Sequence, residues 1–471
     1  MNISTNSNFH SPRLILEDKR KEESVNQIVS ALVLTPELIK QIQDTFESEM
    51  ELGLMQNPPK ASSLQMENTF IPELPNGKED GDFLALDLGG TNFRVILIRL
   101  KPGHQAESYV QYYTVPEFIR IGDHGEPLFD FLAECIHDFM KKNDLLEKHL
   151  PLGFCFSFPM VQKALDIGVL VTWTKSFNIP SVVGEDAVKM LNDALERRGD
   201  LQVNVVAVVN DTTGTLIKGA SLYPDCAIGL ILGTGCNACY LEKVERIKKW
   251  DGEHPGIDEV IVDIEWGAFG DNGVLDFMKT EFDKIVDNNS LLVSSFTFEK
   301  LFAGKYLGEL VRQILLCLID DKLLFRGKLS NMMMTHNAFT AEHVSEIESQ
   351  DGDLKAREIL ETLGYPSVTD DDIAILRHLC AVTSVRGARI VSICLASLLN
   401  RMKKEFVTVA IDGSLYNKHP KFHQLMTDFI AEMAPERKFK LMLAEDGSGK
   451  GAGLVAAIAE RLKAQKHKTE V

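Results

Sequence analysis

Twice in this chain an apolar strand-like run enters a glycine turn and leaves it as a second strand-like run. The first is "FLALDLGGTNFRVILIRL", residues 83–100, and the second is "AIGLILGTGCNACYLEKV", residues 227–244. A single glycine turn is most often only a hairpin. Two of the same design, roughly 140 residues apart, predict a duplicated fold with a cleft between its halves. Around them strands alternate with helices, which implies an α/β layer architecture with helices covering a mixed sheet. "LFDFLAECIHDFMKK" carries one apolar helical stripe, and "GEDAVKMLNDALERRG" opens on acidic residues and closes on glycine as helices do. "LPLGFCFSFPM" and "VNVVAVVND" read as buried strands, the first ending at Ser157 and Pro159, the second at Asn210 and Asp211.

The outer segments complete the outline. Residues 24–52 read as one helix, and 56–81, with four prolines and little periodicity, as an extended, mobile connector. After residue 270 helices dominate, notably "FEKLFAGKYLGELVRQILLCLI" and "VTSVRGARIVSICLASLLNRM". A last strand and turn, "FVTVAIDGSLY", and a glycine-rich turn into a helix, "EDGSGKGAGLVAAIAERLK", close the pattern.

Charge narrows the function. The chain of 471 residues carries 50 basic and 68 acidic residues, a formal charge of -18, which argues against a general nucleic-acid or anionic-membrane surface. No apolar run is expected to span a bilayer, and the polar start "MNISTNSNFHSPRLILEDKRKEES" has no signal-peptide pattern, so a cytoplasmic protein is expected. Eight scattered cysteines make no disulfide framework. "CNAC" matches a redox pattern, but Cys236 and Cys239 are three apart on a strand and face opposite sides.

Four turns share glycine at a strand end with small hydroxylated or amide neighbours: Gly89-Gly90-Thr91-Asn92, Gly233-Thr234-Gly235, Asp412-Gly413-Ser414 and Gly447-Ser448-Gly449. Consecutive N–H groups in such turns make anion-binding concavities, and the hydroxyls of Thr91, Thr234 and Ser414 can donate to phosphate oxygens. Together the four turns predict a phosphate site of an unusual kind. "EDGSGKGAG" fails the P-loop pattern, with Ala444 at its first glycine and Gly451 at its last position, and no dinucleotide fingerprint follows a strand. Asp211 at a strand end could cap the next helix. It could equally take the proton from a hydroxyl attacking a phosphoryl group. Ser157, Thr174, Lys175, Asn210, Glu265 and Glu299 are the short polar and charged groups a polyol substrate would need.

"LDLGGTNFR", "FSFP", "WTK", "VVNDTTGTL", "LGTGCNACY", "EWGAFG", "GKYLGELVR", "IDGSLY" and "EDGSGKGA", in this order, resemble the eukaryotic hexokinase and glucokinase family, within the actin-like sugar-kinase group. The resemblance runs from about residue 22 to 464 and fits a single hexokinase unit. It implies a duplicated ribonuclease H-like fold of two lobes. The N-terminal half would span 22–226, its small lobe being 83–212 plus the helix 447–463; the C-terminal half would span 228–464, its large lobe taking in helix 24–52. It implies ATP and Mg²⁺, the ion held mainly by phosphate oxygens and water, and transfer of a phosphoryl group to the 6-hydroxyl of glucose or a related hexose. Asp211 would be the base, with Lys175 stabilising charge. Ser157, Thr174, Lys175, Asn210, Asn237, Glu265 and Glu299 would hold the sugar. Asp87, Leu88, Gly89, Gly90, Thr91, Asn92 and Arg94 would form the first phosphate turn, Gly233, Thr234 and Gly235 the second. Lys305, the turn Asp412, Gly413, Ser414, Leu415 and Tyr416, and Gly447 with Ser448 would complete the nucleotide side. Two positions depart from the family pattern: Phe296 stands where many relatives carry a sugar-contacting Gln, and Ser176 where Gly is usual. The resemblance also implies a monomer or homodimer, and control by glucose 6-phosphate in some members. A hexose sensor without catalysis and an actin-like filament ATPase are the competing classes.

Overall fold

The computed structural model describes residues 12–469 apart from 251, 253 and 255. Its strands, in chain order, are β1 (Glu67–Asn68), β2 (Gly81–Leu88), β3 (Asn92–Leu100), β4 (Glu107–Thr114), β5 (Leu150–Phe156), β6 (Met160–Ala164), β7 (Ile167–Leu170), β8 (Val203–Val209), β9 (Cys226–Leu232), β10 (Cys236–Lys243), β11 (Glu259–Asp263), β12 (Phe406–Asp412) and β13 (Lys438–Leu443). Two mixed sheets carry the architecture, ordered β4-β3-β2-β5-β8 and β1-β11-β10-β9-β12-β13. Within each, the hairpin that opens the sheet is antiparallel, and the last two strands join it parallel. Leaving β1 aside, each sheet follows the order third, second, first, fourth, fifth in its own chain sequence. The duplication expected from the two glycine hairpins is a repeated sheet topology.

The strand sequences explain their places. β5 and β8 are covered on both faces and read as nearly unbroken apolar runs, as parallel strands under helices do. β4 is the edge and leaves Tyr109 and Tyr112 exposed. Helix Gly447–Thr469 lies across the first sheet, and here two backbones come unusually close. A Cβ on Gly153 of β5 would stand 1.9 Å from the Ala452 carbonyl oxygen, and one on Gly451 would stand 1.9 Å from that of Gly214.

Several expectations change in detail. The helix expected over 24–52 is two helices, Lys19–Val29 and Pro36–Leu54, because Thr35 caps the Leu38 N–H and Pro36 supplies a first-turn residue that has no N–H to donate. The connector 56–81 is not free: Leu64, Met66, Asn68, Thr69 and Ile71 are buried, and β1 joins the edge of the second sheet. Within "FEKLFAGKYLGELVRQILLCLI" the helix breaks after Lys300 and restarts at Gly304, whose N–H donates to Gly233 O. Helix Asp370–Met402 has the length and hydropathy of a membrane span, contrary to the sequence reading, but 94% of its apolar window is buried inside the protein.

Gly153→Ala is expected to lower stability by about 3 kcal/mol or more, because the obstructing atom is backbone and cannot turn aside. Gly122→Ala, where an added Cβ meets nothing within 4 Å, is expected to change little. Urea unfolding midpoints of the two variants check this.

Candidate active site

The first hairpin turn is braced from below. Asp87 and Arg94 face each other across β2 and β3, and Arg94 Nε donates to Asp87 Oδ2 at 2.9 Å. Ser448 at the start of helix Gly447–Thr469 donates its hydroxyl to the same oxygen at 2.9 Å, and Arg94 reaches Ser448 Oγ at 3.1 Å and Asp446 as well. Burial opposes the guanidinium charge, but Asp87 and Asp446 outweigh it and hold Arg94 firmly protonated. Arg94 therefore acts as a strut between the first turn and the last helix.

The remaining turns hang on this brace in sequence. Asp412, at the end of β12, accepts from Gly413 N–H at 2.7 Å and from Gly447 N–H at 3.0 Å, which joins the third turn to the fourth. Burial raises its carboxyl, and those two N–H groups oppose the rise. Gly413 adopts φ +123 and lies against Gly233, where a Cβ would come within 3.2 Å of Gly413 Cα. The second turn is fixed in its own right by Gly233 N–H to Gly235 O, and by Gly304 and Lys305 N–H groups donating to its carbonyls. Leu415 and Tyr416 behind the Asp412 turn are buried, whereas Ser414, Thr234 and Lys305 are exposed. Gly90 has open space where its side chain would be. The four turns are thus joined in series, with hydroxyls and N–H groups around them and Lys305 as an exposed cation beside the second.

Beside this crib lies a polar pocket. Asn210 caps helix Asp211–Leu222, its Oδ1 accepting from Thr212 N–H at 2.9 Å, so that Asp211 is the first helical residue and not the cap. Burial raises the Asp211 carboxyl, while Lys175 opposes the rise and Asp87 adds to it. Lys175 Nζ donates to Ser157 O at 3.0 Å. Glu299 accepts the Cys236 N–H at 2.9 Å and sits so close to the second turn that a Cβ on Gly235 would fall 2.5 Å from Glu299 Oε2. Burial raises Glu299 too, against the pull of the Cys236 N–H, Lys175, Lys305 and Lys300. Asn210 and Asn237 each donate to Glu265 Oε1 at 3.2 Å. Thr174, half-buried, lies one residue before Lys175, while Asn92 accepts from Thr114 at the outer end of the first turn.

Backbone strain concentrates here. Lys175, Ser176, Glu265, Phe296 and Asp446 are non-glycine residues at φ between +54 and +70. Such angles cost about 1–3 kcal/mol each and persist where surrounding structure over-determines them. Ser176, at φ +70, holds a left-handed conformation that glycine would adopt without strain. Phe296 is half-buried, its ring 3.4 Å from the Cβ position of Gly267, and its N–H is held by Asp271.

Three residues of the site escaped the sequence reading. Asp446 completes the brace, Thr212 links Asn210 to Asp263, and Asp263 stands two residues before Glu265 at the end of the apolar strand β11. Cys236 and Cys239 of "CNAC" are free and buried, and burial pushes both thiols well up, away from the reactive thiolate form.

Comparison with known proteins agrees with this geometry. Residues 24–221 and 227–458 each match a family profile described as Hexokinase. Human hexokinase-1 is 39% identical over 94% of this chain, and horse hexokinase-2 is 41% identical over the same share. The chain spans about half the length of these curated relatives, 49% in both cases. The Schistosoma mansoni hexokinase solved with glucose is 38% identical, superimposes with a TM-score of 0.87, and is covered over 100% of its length by 94% of this chain. The fold and site define a two-lobed sugar-kinase architecture. The chain belongs to the hexokinase family.

Arg94→Ala is expected to cost about 3–5 kcal/mol, because it strands the buried Asp87 carboxylate without its cation. Asp446→Ala, which removes the more exposed end of the brace, is expected to cost clearly less. Thermal unfolding of both variants measures the difference.

Proposed function

We propose that the chain transfers the γ-phosphoryl group of MgATP to the 6-hydroxyl of glucose or a related hexose. The observation that carries this reading is the place of Asp211: it begins the helix that Asn210 caps, beside the polar pocket, and is acted on by both Asp87 of the first turn and Lys175. The likeness to a hexokinase solved with glucose supports the choice of sugar.

In this reading Asn210, Asn237, Glu265 and Glu299 hold the sugar hydroxyls, with Ser157, Thr174 and Lys175 closing the pocket from the small-lobe side. The turns at Gly89, Gly233, Gly413 and Gly447 offer N–H groups and hydroxyls to the phosphates. Magnesium arriving with the nucleotide would neutralise phosphate charge. Asp87 and Asp412 already accept hydrogen bonds from protein donors, so the ion would rest mainly on phosphate oxygens and water. Asp211 takes the proton from the attacking hydroxyl, and its raised carboxyl brings it nearer the working pH of a general base. Lys175 neutralises charge that develops on the transferred group. Closure of the lobes would exclude water from a site that could otherwise hydrolyse ATP. A cytoplasmic setting is supported by eight cysteines that all remain unpaired.

Asp211→Ala is expected to bind glucose with little change and to lose phosphoryl transfer by about 10²–10⁴-fold. In the unsubstituted protein kcat/KM should fall as pH drops through the raised Asp211 value, since protonation removes the base. A coupled assay of glucose 6-phosphate formation checks both; near-normal turnover of the variant would remove Asp211 from the mechanism.

A further inference from the structure

Asn237 leaves no freedom in how it faces the pocket. Its Oδ1 accepts the N–H groups of Ala238 at 2.7 Å and Trp266 at 3.3 Å, so its Nδ2 must point the other way. Around that single Nδ2 stand three acceptors: Asp263 Oδ1 at 2.9 Å, Glu265 Oε1 at 3.2 Å and Asn210 Oδ1 at 3.4 Å. Nδ2 carries two hydrogens. The Thr212 hydroxyl has one hydrogen to share between Asn210 Oδ1 at 3.0 Å and Asp263 Oδ1 at 3.3 Å. Asn210 is oriented by Thr212 N–H, which leaves its own Nδ2 for Glu265 Oε1 at 3.2 Å. Two carboxyl groups, Asp263 buried and Glu265 half-buried, therefore converge on one amide, and donors alone do not satisfy two full negative charges.

We propose that Asp263 is a positioning residue of the hexose pocket: it shares one proton with Glu265, so that the pair carries a single negative charge and keeps Glu265 seated on Asn237 and Asn210. The arrangement follows from the strand. Asp263 ends β11 opposite Cys239, Ile264 N–H binds Ala238 O at 3.0 Å, and the turn at Glu265, φ +55, brings its carboxyl back over Asp263. The charged groups facing the pair give it little compensation. Helix Asp211–Leu222 contributes Asp211, another acid. Opposite Asp263 on β1 is Glu67, with Lys249 at 3.9 Å, and the Cys239 thiol is held protonated by burial. Lys175 favours ionised Glu265 but acts more weakly than Asp263 and Asp211 act against it. Burial foremost, and then like charge, raise both carboxyls. A raised carboxyl keeps its proton at neutral pH and loses it as pH rises, so the second charge appears on the alkaline side.

The inference rests on the hexose reading for its main test, which is glucose affinity by intrinsic fluorescence between about pH 6 and 9 in the unsubstituted protein and in Asp263→Asn. Asparagine keeps the shape but cannot ionise. The unsubstituted protein is expected to lose affinity above neutrality by up to about ten-fold per pH unit. The variant is expected to match it on the acid side and to lack that fall. Asp211 and Glu299 remain titratable in both proteins, so the test reads the difference between the two profiles, and parallel profiles overturn the proposal. Infrared spectroscopy in heavy water judges the pair without any sugar: a buried carboxylic-acid C=O band near neutral pH that disappears in Asp263→Asn supports it. Its absence from the unsubstituted protein overturns it. No glucose binding by either protein, with that band present, overturns the hexose reading and leaves the shared proton standing.

Discussion

The ion pair between Arg94 and Asp87 is the interaction on which the arrangement of the site depends. It lies across the first hairpin, and through Ser448 and Asp446 it pins the start of the last helix to the first turn, more than 350 residues away in the chain. Asp412 then binds the same helix start through Gly447, and Gly413 rests on Gly233. Remove the pair and no other contact in this series fixes the first sheet's turn against the second sheet's turns. The crib presents mainly N–H groups and hydroxyls, so any phosphate it takes, as the proposed function requires, would be bound through oriented dipoles rather than net charge.

A second constraint runs through the polar pocket. Asp211, Asp263, Glu265 and Glu299 all have carboxyls raised chiefly by burial, with one lysine, Lys175, acting on three of them. Carboxylates in such a setting are costly, and so are the left-handed angles at Lys175, Glu265 and Phe296. The large apolar core around helix Asp370–Met402 supplies the stability that lets these costs persist. Trp266, Phe269 and Phe298, the apolar neighbours of Glu265 and Glu299, pack ring against ring beneath the pocket and hold its floor in place.

Much of this was legible in the residues. The two glycine hairpins announced a repeated topology, and strand ends placed Ser157, Asn210 and Asp211 where an α/β sheet collects its ligands. The periodicity of 24–52 could not show that Thr35 and Pro36 interrupt it, because the break lies in capping chemistry while the apolar spacing continues on both sides. The prolines of 56–81 concealed buried Leu64, Met66 and Ile71, whose partners are on distant strands. Arg94 could be seen beside a turn, but its role as a strut needed Asp446 and Ser448, which no local pattern brings near. Asp263 was hidden for a related reason. An acid in a strand that is otherwise apolar stands out only when Asn237 and Thr212 are known to face it.

Helix Asp211–Leu222 explains why one carboxylate can serve two lobes. It continues directly from β8, the last strand of the first sheet, yet its first turn lies on β9 of the second, where a Cβ on Gly229 would come within 2.3 Å of Thr212 O. Gly214, on the same helix, meets the last helix so closely that a Cβ there would stand 2.5 Å from Ser448 O. The helix is thus clamped between the second sheet and the brace that anchors the first turn. Its close backbone contacts on both sides leave it little room to slide. Asp211 at its first residue is thereby held from both sides, while Lys175 is carried on the loop after β7. The duplicated fold thus places Asp211 on the element that packs against both copies.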